Sequence, residues 1–189
     1  GGADLAEGTI IVENNAALGT GTLTASGSGV KLQAGSSGVT LDNAIALSQN
    51  LIVDTNGQRV TLDGTVTGAS KLIKPGAGTL DLSASNTYTG GTDVEVGTLV
   101  LGAGDAAGTG TITMADATTL QTDAAMTVAN AITLGGATTI DTQDKAVTLS
   151  GLIDGTGRLT KVGSDTLTLS DSNTYSGGTA LEDGSLALG

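Results

Sequence analysis

Lys74-Pro75-Gly76-Ala77-Gly78-Thr79-Leu80-Asp81-Leu82-Ser83-Ala84-Ser85-Asn86-Thr87-Tyr88-Thr89-Gly90-Gly91-Thr92-Asp93-Val94-Glu95-Val96-Gly97-Thr98-Leu99-Val100-Leu101-Gly102 occurs a second time in this chain, as Lys161 to Gly189, at a constant offset of 87 residues. Eighteen of the 29 positions are identical. Gly1 to Val12 runs parallel to Gly90 to Leu101 at an offset of 89, so the chain opens in mid-motif. Looser matches fill the interval in the same order: Gly19 to Thr24 with Gly108 to Thr113, and Val60 to Gly64 with Val147 to Gly151. Self-similarity on this scale marks a repeat architecture. The chain, 1–189, reads as one continuous stretch cut from a longer array: a partial repeat 1–13, a unit 14–102 and a unit 103–189.

Inside each copy the apolar residues alternate. Leu80, Leu82, Leu99 and Leu101 return as Leu167, Leu169, Leu186 and Leu188. A period of two is a strand with one buried face. Thr, Asp and Lys take the intervening positions, Asp81 among them, and are expected on the solvated face, where the β-branch of Thr suits extended backbone. Between residues 13 and 102 the pattern predicts eleven short strands beginning near Thr20, Val30, Val39, Ala44, Leu51, Val60, Thr65, Lys71, Thr79, Asp93 and Thr98. Gly, Asn, Asp and Ser punctuate them. Three strands to a coil would give about 23 residues per coil, just under four coils per unit and roughly eight in all.

Composition then narrows the architecture. Gly and Thr, 31 and 32 residues, make a third of the chain, with no Cys, His, Trp or Phe, and Tyr88 and Tyr175 are the only aromatics. Tandem immunoglobulin-like sandwiches would repeat at a similar length, but they build on large aromatic anchors. A parallel solenoid needs none, because like side chains stack coil upon coil. The missing residue types also exclude chemistry: no Ser/His/Asp triad, no Cys nucleophile and no zinc site of the usual kind can be assembled. The net charge of −12 and seven scattered basic residues argue against nucleic acid.

The text Thr79-Leu80-x-Leu82-Ser83-x-x-Asn86-Thr87-Tyr88-Thr89-Gly90-Gly91-Thr92-x-Val94-x-x-Gly97-Thr98-Leu99-x-Leu101-Gly102 resembles the autotransporter passenger-associated β-strand repeat of Gram-negative bacteria, and returns at Thr166 to Gly189. The resemblance implies an all-β, right-handed parallel β-helix without helices, exported by type V secretion to the cell surface. Its partners would be the flanking coils and a C-terminal membrane barrel of the same parent chain. The role it implies is a non-catalytic stalk that aids export and folding. An adhesin or self-association module with a host or bacterial surface ligand is the alternative, and a carbohydrate-active β-helix a third.

Four sets of residues invite a chemical reading. Asn86 to Gly91 and Asn173 to Gly178 read as turns, with each Tyr ring laid over an adjacent coil and its hydroxyl in water. Gly102-Ala103-Gly104-Asp105-Ala106-Ala107 has the spacing of a dinucleotide fingerprint, but the sequence after it is strand-like where a helix would be needed. Asp141, Asp144, Glu182 and Asp183 could pair as carboxylates for sugar cleavage or a weak Ca²⁺ site; without aromatic platforms they read as solvated turns. Lys71 and Lys74, with their counterparts Arg158 and Lys161, read as basic residues at coil edges. No catalytic residue, cofactor or metal ligand is expected. Bare coil faces at Gly1 and Gly189 lead to an expectation of weak end-to-end self-association.

Overall fold

The computed structural model describes residues 2–189, which form 24 short strands, every pairing parallel, and no helix. The chain winds through about nine coils of a β-solenoid with three faces. The second face stacks Thr9–Val12, Val30–Ala34, Leu51–Asp54, Leu72–Lys74, Thr92–Val94, Ile112–Met114, Ile132–Leu134 and Ile153–Gly155. The third face stacks Val39–Leu41, Arg59–Leu62, Thr79–Leu82, Thr98–Leu101, Thr118–Thr122, Thr138–Asp141, Leu159–Val162 and Thr179–Leu181. The first face is broken into two sheets, Ala3–Leu5 to Val66–Gly68 and Met126–Val128 to Ser185–Leu188. Between them irregular backbone keeps the stack going: Thr87 N donates to Val66 O, and Thr109 N to Tyr88 O.

The eleven strands expected over residues 13–102 are all present. Most start within a residue of the expected place; the first starts at Leu23 because Asn14 to Gly19 form a turn. Coils are tighter than 23 residues. Registers such as Thr79↔Thr98 and Thr9↔Lys31 set the coil length at 19 to 22 residues. A unit of 87 residues therefore holds more than four coils.

Alternation decides what is inside. Strand after strand shows the sequence buried, half-buried, buried, with Leu, Ile and Val stacked into a single core running the length of the molecule. Like-on-like columns such as Leu62, Leu82 and Leu101 remove apolar surface from water without any large anchor. Outside, Thr79, Thr98, Thr119, Thr139 and Thr160 form one in-register row on the third face. Ion pairs tie other rows, as Lys31 to Asp54 at 3.2 Å and Lys71 to Asp93 at 2.9 Å.

Asp81 corrects the expected surface. It is only 7% exposed and accepts from Arg59 Nη2 at 2.6 Å across one coil. An outward residue on a flat parallel sheet is screened when a long side chain of a neighbouring coil lies along it, as Arg59 does in also approaching Asp123 at 4.0 Å, so facing outward does not make it solvated.

Candidate functional site

The repeated motif is the natural place to look for a site, and its polar residues lie in the coil lattice. Tyr88 is fully buried, correcting the expectation that its hydroxyl meets water. Its hydroxyl pairs with Thr92 Oγ1 at 2.5 Å, and burial pushes its pKa up to about 12. Gly108, in the coil above, has φ +63 and lies against the ring: a Cβ there would sit 3.0 Å from Tyr88 Cδ1. In the coil below, Gly68 accepts from Thr89 N and, with φ +120, lies against the Leu47 carbonyl, which a Cβ would strike. Tyr175 holds the equivalent position in the last coil, half-buried, with its hydroxyl 2.6 Å from Thr179 Oγ1.

Asn86 links three coils. Its Oδ1 accepts from Val66 N at 2.6 Å in the coil below, and its Nδ2 donates to Ala106 O at 2.6 Å in the coil above. Asn173 makes the lower of these bonds, accepting from Ile153 N at 2.7 Å.

Lys74 and Lys161 overturn their reading as edge residues: both are 0% exposed. Each shares the inward side of its strand with a leucine two residues earlier, Leu72 and Leu159, and stacks in register on Val94 and Leu181. The aliphatic stem fills the core, and the ammonium reaches the corner between second and third faces or its equivalent. There Lys74 Nζ donates to Gly76 O at 2.5 Å and Val96 O at 2.8 Å. Lys161 Nζ donates to Val162 O, Gly163 O and Asp183 O at 2.9, 2.6 and 3.2 Å. Desolvation lowers the pKa of Lys74 to about 8 against the opposing pull of Asp54, and lowers that of Lys161 against Asp183, Asp141 and Asp165. Their parity with Leu72 and Leu159 was a readable signal of burial. Lys71 stays half-buried on the outside, paired with Asp93.

Of the remaining candidates, Asp141 ends a strand of the third face, and Asp144 and Asp183 lie in the bends beyond their strands. Asp141 Oδ1 accepts from Gln143 N at 2.8 Å, Asp144 Oδ1 from Ser164 Oγ at 2.6 Å, and Asp183 Oδ1 from Gly184 N at 2.8 Å. Among the described residues no three acidic side chains converge as a metal site would require. Gly102 to Ala107 is an irregular turn closed by Ala106 N to Ala103 O, with no helix to face a pyrophosphate.

Residues 72–101 and 159–188 each match the passenger-associated-transport-repeat family. The chain carries two passenger-associated-transport repeats. The matched segments bracket the inward lysines, the tyrosines and the Asn links just described. A curated relative, an autotransporter named adhesin BmaC from Brucella suis biovar 1 (strain 1330), is 41% identical over 133 residues. That alignment covers 68% of this chain and 4% of the relative, so the chain spans a small fraction of the relative's length. No solved structure matches the chain.

Proposed function

We propose that this chain is a non-catalytic length of β-helical stalk in the passenger of a cell-surface autotransporter, with 14–102 and 103–189 as its repeat units. In the parent chain it would be flanked by further coils and linked to a C-terminal membrane barrel. One observation carries the reading: the polar groups that the two repeats share are spent inside the stack, within a coil or on the next one. Lys74, Asn86 and Tyr88 bond to coil backbone or to Thr92, so the motif serves stacking rather than a ligand. A chain with no cysteine can cross a membrane unfolded and uncrosslinked. Each coil then docks on the last one folded, and the growing stack opposes return.

The test is surface display. Residues 1–189 placed between a secretion signal and a membrane barrel should reach the cell surface protease-resistant, and Leu82→Asp, which puts a charge in the core, should sharply lower the resistant surface pool. Equal display of both forms would remove the folding-assisted export role.

The adhesin reading is favoured by the name of the relative. Beads coated with the purified chain should stay unbound on host and bacterial cells if the segment is a stalk, and should bind saturably if it is an adhesin. A glycan hydrolysis screen is expected to give no products; turnover would restore the carbohydrate-active reading.

A further inference from the structure

Each unit begins with an irregular loop in place of a strand, and each loop leaves a cleft at the following corner. The first cleft, about 300 Å³, is lined by Asn15, Ala16, Gly19, Thr20, Asp42 and Asn43. The second, about 170 Å³, is lined by Gly104, Asp105, Gly108, Thr109, Ala129 and Asn130. These are equivalent positions, offset by 89 on the loop wall and 87 on the corner wall. Each cleft holds one exposed carboxylate, but on opposite walls: Asp42 with Ala16 in the first, Asp105 with Ala129 in the second. The charge has changed sides while the count per cleft has stayed at one.

The asparagines define the rest of the chemistry. Asn43 and Asn130 are 4% and 5% exposed. Asn43 Nδ2 donates to Gly19 O at 3.0 Å and Gly21 O at 2.7 Å, and Asn130 Nδ2 to Gly108 O at 3.0 Å and Gly110 O at 2.8 Å. Both amide protons are spent, which leaves Oδ1, an acceptor, as the unused group of a nearly buried side chain. A carboxylate and an amide oxygen, with no basic side chain in the lining, leave each cleft with acceptors for a cation, beside the hydroxyls of Thr20 and Thr109 and, in the first cleft, the amide of Asn15.

We propose that the two clefts are equivalent sites for an arginine side chain of a partner protein, one site per repeat. A guanidinium carries its positive charge on a thin plane with five donors, which can meet two acceptors at once, whether adjacent on one wall, as Asp42 and Asn43 are, or on facing walls, as Asp105 and Asn130 are. The chain's net charge of −12 draws basic segments toward it. The two sites lie on different corners, about 21 Å apart along the axis at the usual strand spacing, so they fill independently. The proposal goes beyond the stalk reading and does not depend on it.

The ¹⁵N-labelled chain, titrated with N-acetyl-arginine amide, should show saturable amide shifts at Thr20 and Thr109, with a Kd on the order of 1 mM at each. N-acetyl-citrulline amide, neutral and of similar shape, and N-acetyl-lysine amide should bind about tenfold more weakly. Asp42→Asn should silence the Thr20 shifts alone, and Asp105→Asn the Thr109 shifts alone; both carboxylates are exposed, so the variants keep the fold. Absent shifts, citrulline or lysine binding as tight as arginine, or shifts that persist unchanged in both variants would overturn the proposal.

Discussion

A buried lysine and a buried tyrosine should give this solenoid an alkaline stability maximum. Lys74 has a folded pKa of about 8 against 10.5 for the free side chain. Between those values the unfolded chain binds the proton and the folded chain has released it, so unfolding becomes harder as pH rises. Below pH 8 both states are protonated and the full cost of burying the ammonium is carried. The relief across the window is on the order of 2–3 kcal/mol. Lys161, lowered by the same cause, adds in the same direction. Tyr88 has the opposite sign. Its pKa of about 12 against 10.0 means that above pH 10 the unfolded chain ionises first, and stability falls. Urea unfolding at half-unit steps from pH 7 to 11.5 should therefore show a rise from pH 8, a maximum near 10 and a decline beyond. Lys74→Met should reduce the rise, while changing stability at pH 7 little, since an apolar chain replaces a buried charge. The Lys74→Met, Lys161→Met double variant should flatten the rise, and Tyr88→Phe should remove the decline. A steady fall from pH 8 in the wild type, or an unchanged rise in the double variant, would refute the reasoning.

Three other outcomes follow from the packing. Leu82→Asp should cost several kcal/mol by placing an unpaired charge in the core, whereas Asp81→Asn should cost about 1 kcal/mol through its bond to Arg59; equal effects by chemical denaturation would mean the strand register is wrong. Gly68→Ala should destabilise by more than about 1 kcal/mol, because both its left-handed backbone and the Leu47 carbonyl oppose a Cβ; a neutral thermal melt would show that the close coil contact at Leu47 can relax. Sedimentation velocity should reveal weak end-to-end association that grows with concentration and salt, since Leu188 and Ile11 are 76% and 59% exposed at opposite ends and the −12 charge is screened; a strict monomer under all conditions would refute it.

The strands were legible because alternation survives any packing detail: Leu80 and Leu82 have to share a side whatever they touch. Coil length was overestimated because corners such as Glu95 to Gly97 turn in three residues and some coils pass a face without a strand. The chemistry of the interior was the least legible part. Its charge alone reads Lys74 as an edge residue, although its spacing from Leu72 puts it inside; parity is the stronger signal. Tyr88 reads as a surface ring because Gly108, which lies against it, is 20 residues on and becomes a neighbour only through coiling. The clefts were invisible for the same reason, since each joins a loop to a corner more than 20 residues on.

The unit length itself has a structural consequence. Asp93 is followed up the second face by Thr113, Thr133 and Asp154, and then by Thr174, whose N donates to Ile153 O. Its repeat counterpart is Ala180, six residues further and one face on. The same step carries Asp4 on the first face to Asp93 on the second. Eighty-seven residues thus make four coils plus one face, and three copies of one segment occupy three different faces. Interior contacts tolerate this because every face has the same strand alternation and opens on the same core. Exterior features do not: a row such as the five stacked threonines belongs to successive coils, while anything borne by the repeat precesses around the rod. A ligand site on the repeat is therefore presented in three directions over three units, and a partner approaching from any side meets one of them. Deleting six or seven residues from one inter-repeat segment, such as 144–150, would bring four coils into register with the repeat and line its copies along a single face.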